Sequence, residues 1–513
     1  MISHTFHEEF PLPSDEKSIR VLRIKPGIKG TAIEASLFKI DLNDPNRAPY
    51  TTLSYTWGDS TTIAHVQVNE EVVGVGGNLF QALQHIRSPD VPIVIWVDAI
   101  CIDQTDNAEK SHQVSHMDLV YRLCDQVYIW LGLPDGSIPV ESNPFALVEH
   151  FAANKHFYNL PGYRKDNSTK TWACDTSNKD FTSLWKGFGL VARSPWWHRA
   201  WTVQEAVLPA KAMVVCGIWR IPWESFDLYK SNKLKHIFNN TRACCADAYE
   251  AIGVDPLFLM DQVMGYVATL KRSRRGTRRF KTFSDVSFAY MNRQCFNPRD
   301  KIYSLLGFAD SATIRLSPDY AKEVSDVYVE AFCKMLEEID MSPRCLLGEG
   351  FNSERFNLPS WVRDFSAVFD PRSQHRRAQM DYHLFKACGD LSGKLEVKDQ
   401  NKIVTHGVLI DRVKALAMWT WCSQPENFKE ILDDWRRTCD DNGVPVRSDQ
   451  TDHVFARVLC GGVTHQDDGR PKLLEDIDLP DNSEWSEFLA TGNGLALCRK
   501  HRIACATALD RKR

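Results

Sequence analysis

Residues 95–132 read IWVDAICIDQTDNAEKSHQVSHMDLVYRLCDQVYIWLG, and the alternation of apolar and polar blocks within them sets the architecture. The stretch opens inside the run IVIWV (93–97), which follows Pro92 and is short, continuous and apolar, as a strand covered on both faces would be. That strand empties into DAICIDQ, a polar loop bounded by Asp98 and Gln104. Val114, Met117, Tyr121 and Cys124 then recur at helical spacing, so a helix is expected from about Ala108 to Cys124. VYIWL (127–131) is a second buried strand, stopped by Gly132 and Pro134. Strand, loop, helix and strand make a βαβ unit, whose two strands lie parallel in one sheet.

Further strands are expected upstream at Ile19 to Ile24 and Glu34 to Ile40, around a turn region at Pro26-Gly27 and Gly30, and at Thr51 to Thr56, ending at Trp57-Gly58-Asp59. Short strands follow at His65 to Val68 and Glu71 to Val75, then a helix from Asn78, whose side chain is expected to cap its first amides. Gly74, Gly76 and Gly77 lack the spacing of a dinucleotide fingerprint and suit a hairpin. Downstream, residues 154–182 are polar and turn-rich, read as an insertion or mobile loop. Helices at Leu184 to Ala192 and Arg199 to Leu208 flank SPWWH, and Ala212 to Cys216 adds a strand. From Pro222 the pattern turns helical, with segments at Asp255 to Leu270 and Ser325 to Glu337. The expected organisation is N-terminal strands (1–46) packed on a central α/β domain (47–217), followed by a mainly helical region (218–513) that regulates it or recognises partners.

The 62 basic and 66 acidic residues nearly cancel, to a formal charge of -4, which excludes a globally basic nucleic-acid binder and an acidic solvating tail. The opening MISHTFHEEFPLP lacks the basic and apolar regions of a secretory leader, and no stretch is long enough to span a bilayer. Fifteen cysteines, an odd number with no C-x-x-C pair, read as reduced thiols of the cytoplasm or nucleus. The run KRSRRGTRRFK (271–281) suits a solvated loop, a nuclear-import signal or a phosphate-binding patch. His112 and His116 share a helical face without an evident third ligand, and Cys244-Cys245 are closer than a usual zinc pair, so no metal is expected.

Polar residues gather at strand ends in three blocks: YTTLSYTWGD (50–59), residues 95–132, and SPWWHRAWTVQEAVLPAKAMVVCG (194–217). Together they resemble the signature of the fungal heterokaryon incompatibility (HET) domain. Leu53, Ser54, Tyr55, Trp57 and Gly58 match its first motif. Trp96, Asp98, Cys101, Ile102, Asp103, Gln104, Glu109, Gln113, Val114, Trp130, Leu131 and Gly132 match the second, and Arg199, Trp201, Gln204 and Glu205 the third. NPRDKIYSLLGF (297–308), SPDY (317–320) and LPSWVRDF (358–365) resemble segments that often follow this domain.

The resemblance implies a TIR-like, flavodoxin-like fold, a parallel sheet with flanking helices, and a role in non-self recognition and programmed cell death. Leu53-Ser54-Tyr55 is similar to the first TIR strand, and Trp201 to Glu205 to the TIR W-C-x-x-E motif, although Thr202 stands where TIR has cysteine. Kinship with TIR enzymes implies hydrolysis of NAD, as substrate and not as a resident cofactor, with Glu205 catalytic and activity triggered by a protein partner or self-association. An indole at Trp201 beside Glu205 would desolvate the carboxyl and move its pKa towards neutrality. A carboxylate so placed can hold ribose hydroxyls or steady an oxocarbenium-like transition state. Asp98, Asp103 and Gln104 are candidates for ribose or amide groups, Trp57 for ring stacking, and Ser54 and Arg199 for the diphosphate.

Plain structural roles stay open for the same residues: packing for the tryptophans, helix capping for Asp98 and Asn78, and an ion pair with Arg199 for Glu205. Two other readings also stand, a non-enzymatic assembly module in death signalling and a nuclear regulatory protein acting through residues 271–281.

Overall fold

The computed structural model describes residues 5–367 apart from 59–62, 135, 137–138, 140–141, 238–243, 275–281, 309–315, 343–345, 347–349 and 352–353, together with 394–398, 402–405, 437, 463–465 and 471–473. Its first compact unit, Met1–Ile339 with Phe351–Ala367, holds strands β1 (Ser18–Ile24), β2 (Glu34–Asp41), β3 (Thr51–Ser54), β4 (Ile63–Val68), β5 (Glu71–Gly76), β6 (Ile93–Trp96), β7 (Gln126–Trp130), β8 (Tyr163–Lys165), β9 (Trp172–Cys174), β10 (Ala212–Cys216) and β11 (Trp219–Pro222). All but the β8–β9 hairpin join one nine-stranded sheet in the order β11-β10-β7-β3-β6-β1-β2-β4-β5. The fold is α/β.

The four central strands β10, β7, β3 and β6 run parallel. Counted along the chain their order is 2-1-3-4, that of the flavodoxin-like doubly wound sheet. Thr52, Leu53 and Ser54 are consecutive and all buried, which requires cover on both faces of β3. The expected parallel sheet therefore exists at the centre, but its flanks differ. β1 runs antiparallel to β6 and to β2, and β4–β5 is an antiparallel hairpin. Only residues 25–33 join β1 to β2, fewer than the dozen or so that a parallel crossover needs.

The helices are α1 (Thr5–Glu9), α2 (Gly77–Ile86), α3 (Asp98–Cys101), α4 (Asn107–Val114), α5 (Met117–Arg122), α6 (Ala146–Ala152), α7 (Lys179–Ala192), α8 (Thr202–Val207), α9 (Glu224–Ile237), α10 (Ala246–Ala251), α11 (Val254–Arg274), α12 (Phe283–Tyr290), α13 (Asp300–Tyr303) and α14 (Val324–Glu338). The helix expected over 108–124 is two. Ser115 turns its hydroxyl onto the His112 carbonyl, 2.6 Å away, and α4 stops there. α2 begins without the cap expected of Asn78, which instead donates to the Thr56 carbonyl and accepts from the Trp130 indole at 2.8 Å. Residues 154–182, read as a loop, contain a 3-10 turn, the β8–β9 hairpin and the start of α7.

A buried ion pair fixes the N-terminal strands to the centre. Arg20 of β1, 1% exposed, grips Glu109 of α4 with two nitrogens at 2.6 and 2.8 Å, and its remaining donors reach the carbonyls of His7, Phe10 and Cys101. Gln113, one helical turn on, donates to the Ser18 carbonyl at 3.1 Å.

The downstream segment 294–320 laces onto the same domain. Gln204 donates to the Ser304 carbonyl at 2.7 Å, Arg122 to the Gly307 carbonyl at 2.9 Å, and the Tyr320 amide to the Ser111 hydroxyl at 3.1 Å. Asp300 accepts from the Tyr320 phenol at 2.6 Å and bonds the Trp201 side chain. Phe332 of α14 packs on Trp361 and Phe365, which brings LPSWVRDF into this unit as well.

The second unit, Asp340–Gly350 with Val368–Arg513, contains the two-stranded ribbons Leu395–Lys398 with Lys402–Thr405 and Val463–His465 with Pro471–Leu473. Within 218–513 the chain first completes the sheet with β11 and is then mainly helical through Glu338; most of 368–513 lies outside the described residues, as do residues 275–281 and the side chains of 271–274 in the basic run. Among the described residues no helix is long and apolar enough to cross a membrane.

Candidate functional site

In a 2-1-3-4 sheet the crossovers diverge between the first and third strands, here β3 and β7, and ligand crevices open beyond the carboxyl ends of such strands. Ser54 is the last residue of β3, Asp98 follows the end of β6, and α8 packs against β3 and β7 with Glu205 in its first turn. Glycines finish the strands where the chain must bend: Gly58 at φ +74° after β3 and Gly132 at φ +110° after β7.

The Ser54 hydroxyl donates to the Glu205 carboxylate and accepts from the Trp196 indole, the latter at 2.7 Å. Trp196 is fully buried and Glu205 is 4% exposed. Burial pushes the Glu205 carboxyl up to about 7; the Arg199 guanidinium and the Ser54 hydroxyl pull it down, and the Asp98 charge adds to the rise. Among the described residues no cation stands within ion-pair distance of Glu205, and Arg199 acts on it through its charge without a direct contact.

Arg199 donates to the Tyr55 carbonyl. The Tyr55 phenol bonds the Asp98 carboxylate, which also accepts from the Trp57 indole at 2.8 Å and from the Ala99 amide. Burial raises the phenols of Tyr55 and Tyr121 well above their ordinary range, and both feel the charges of Glu205, Asp98 and Arg199. These residues form one electrostatic cluster from a buried acid, Glu205, to a half-exposed ring, Trp57, at 48%.

Ser54, Trp57, Asp98, Arg199 and Glu205 thus come together. Gln104 reaches the cluster only through the Asp98 carbonyl, at 3.0 Å. Asp103 does not join it: its carboxylate accepts from Thr105 and lies 3.7 Å from His7. The Trp201 side chain is engaged by Asp300, and the indole tied to the acid, through Ser54, belongs to Trp196. Trp96 and Trp130 are core residues at 1% and 0% exposure. Tyr55, Tyr121 and Trp196 had no assigned role in the sequence, though each lies within or beside a motif block. The rings of His112 and His116 contact each other, and no third metal ligand joins them among the described residues.

Residues 50–205 match the family model described as Heterokaryon incompatibility protein (HET). The chain is 23% identical over 450 residues to "Heterokaryon incompatibility protein 6, OR allele" of Neurospora crassa, an alignment covering 76% of this chain and 62% of the relative. No solved structure matches.

Proposed function

We propose, from the match of residues 50–205 to the HET family model, that the protein acts in fungal heterokaryon incompatibility, and that its chemistry is hydrolysis of NAD to ADP-ribose and nicotinamide. The observation that supports this chemistry is Glu205: an acid at the switch point of a doubly wound sheet, with its pKa near 7 and a serine hydroxyl on its carboxylate. Breaking the bond between nicotinamide and ribose C1′ sends the electron pair to the pyridinium nitrogen, so the base leaves neutral and needs no proton. The demand falls on the positive charge left on the ribose. The ionised Glu205 meets that charge and accepts the proton of the attacking water. Arg199 offers a planar donor fork to the diphosphate, Asp98 accepts from ribose hydroxyls, and the exposed face of Trp57 stacks on a ring.

At 4% exposure Glu205 is closed to a dinucleotide in this state. Activation then consists of opening the cluster at Arg199 and Trp57, and association with a partner or with a second copy supplies the work. The same burial favours a second reading, an assembly module in which the Ser54–Glu205–Trp196 network holds the fold and no bond is cleaved.

Forced oligomerisation of the purified full chain through a fused dimerisation module, with NAD followed by chromatography beside a known TIR hydrolase, tests the first reading. Consumption of NAD, abolished by Glu205→Gln, supports it. Intact NAD beside an active control removes it, and cell death in a fungal host that survives Glu205→Gln favours the assembly module.

A further inference from the structure

Away from this cluster, four ligand-type side chains meet in one place. His156 sits at the start of the 3-10 turn Phe157–Asn159, His236 in the last turn of α9, and Cys244 and Cys245 just before α10. Their donor atoms all lie within 4.8 Å of one another. The Cys244 sulfur is 3.1 Å from His236 Nδ1 and 3.5 Å from His156 Nδ1; the Cys245 sulfur is 3.3 Å from His156 Nδ1 and 3.9 Å from His236 Nδ1. The two sulfurs are 3.7 Å apart.

These separations have a simple geometric meaning. Zinc bonds of about 2.3 Å to sulfur and about 2.0–2.1 Å to nitrogen, arranged tetrahedrally, put two sulfurs about 3.8 Å apart and each sulfur about 3.6 Å from each nitrogen. The observed sulfur–nitrogen distances, 3.1 to 3.9 Å, bracket the second value, and the sulfur–sulfur distance of 3.7 Å lies close to the first. A disulfide would need sulfurs at about 2.05 Å, so this pair is unbonded.

We propose that His156, His236, Cys244 and Cys245 form a structural zinc site of the Cys2His2 type. Two thiolates and two imidazoles at tetrahedral spacing select zinc among the common divalent ions, and four protein ligands leave no open position for catalysis. The surroundings hold the ligands in place. The Cys245 amide donates to the His236 carbonyl at 3.2 Å, Tyr158 stacks on the His156 ring with its plane within 12°, and Trp172 of β9 stacks in turn on Tyr158. The ion would therefore staple α9, α10 and the β8–β9 insertion.

Adjacent cysteines hid the site in the sequence. In a regular zinc knuckle two or more residues separate the pair, and here two hairpins, β8–β9 and β10–β11, and the helices α7 and α8 lie between His156 and His236.

The test uses the full-length chain purified without chelator, with metals counted by inductively coupled plasma mass spectrometry. One zinc per chain, surviving dialysis into metal-free buffer, is expected. The double variant Cys244→Ser/Cys245→Ser loses it, and His112→Ala keeps it. Folded wild-type protein that retains no zinc after incubation with zinc sulfate overturns the proposal, as does a double variant that retains the ion or a Cys244–Cys245 disulfide in fresh protein. Should the double variant not fold, cobalt(II) in the wild-type chain decides. Intense tetrahedral d–d bands with thiolate charge transfer support the site, and a pale octahedral spectrum refutes it.

Discussion

Ser54 and Glu205 stand 151 residues apart in the chain, yet the hydroxyl of one donates directly to the carboxylate of the other, so a buried polar contact joins β3 to α8. The serine accepts from Trp196 at the same time, and its one oxygen links a strand, a 3-10 turn and a helix.

Stability should depend on pH through Glu205. Its pKa is about 7 in the folded protein against 4.5 as the ordinary value. Between those values the unfolded chain releases a proton that the folded chain keeps, so stability falls as pH rises through the window and stays low above it. The penalty approaches about 3 kcal/mol. In urea unfolding the gap between wild type and Glu205→Gln should widen by up to that amount from about pH 4 to about pH 8, the variant being favoured at high pH. A gap independent of pH would mean that folding leaves the Glu205 pKa at its ordinary value.

Arg20→Met should cost about 3–5 kcal/mol, because it leaves Glu109 charged and unpaired beneath α1 and β1. The double variant Arg20→Met/Glu109→Leu should recover much of that loss, since removing both charges removes the desolvation cost with the attraction. Chemical denaturation of the two variants measures the difference.

Gly307→Ala should destabilise the domain by about 1–3 kcal/mol. An added Cβ would lie 2.7 Å from the Asp118 Cβ and 3.0 Å from the Gln204 side-chain oxygen. The helix termini at both contacts must give way, and the Gln204–Ser304 bond weakens with them. A lowered melting temperature, with the same far-ultraviolet circular dichroism before melting, is the expected result.

Trp57→Ala should leave unfolding within about 0.5 kcal/mol of wild type, because the ring is half in water. If Trp57 stacks on the dinucleotide, the variant raises KM for NAD several-fold with a smaller change in kcat. Equal kinetics in an active preparation would remove that role.

The parallel core was legible because its strands are buried on both faces and therefore read as unbroken apolar runs bounded by glycine and proline, as IVIWV and VYIWL do. The antiparallel pairing of β1 was not, since β1 and β2 show the same strand pattern whichever way they pair. The break between α4 and α5 rests on one serine hydroxyl competing for a carbonyl, which apolar spacing does not register. Among the motif residues, sequence pattern could not separate chemistry from scaffold. Glu109 and Gln113 look as functional as Asp98, but they clamp β1, and Asp103 organises its own turn. The charge partners that divide these roles come from distant parts of the chain.

The lacing of residues 294–320 across α4, α5 and α8 sets a practical boundary for anyone handling this protein in pieces. An expression fragment ended at the last motif residue would strip Gln204, Trp201 and Arg122 of the groups that now cover them, baring the underside of the helix that carries Glu205. The compact unit that carries the sheet takes in residues as far as Ala367, so deletion studies that trim closer would report on damage to the scaffold and not on signalling.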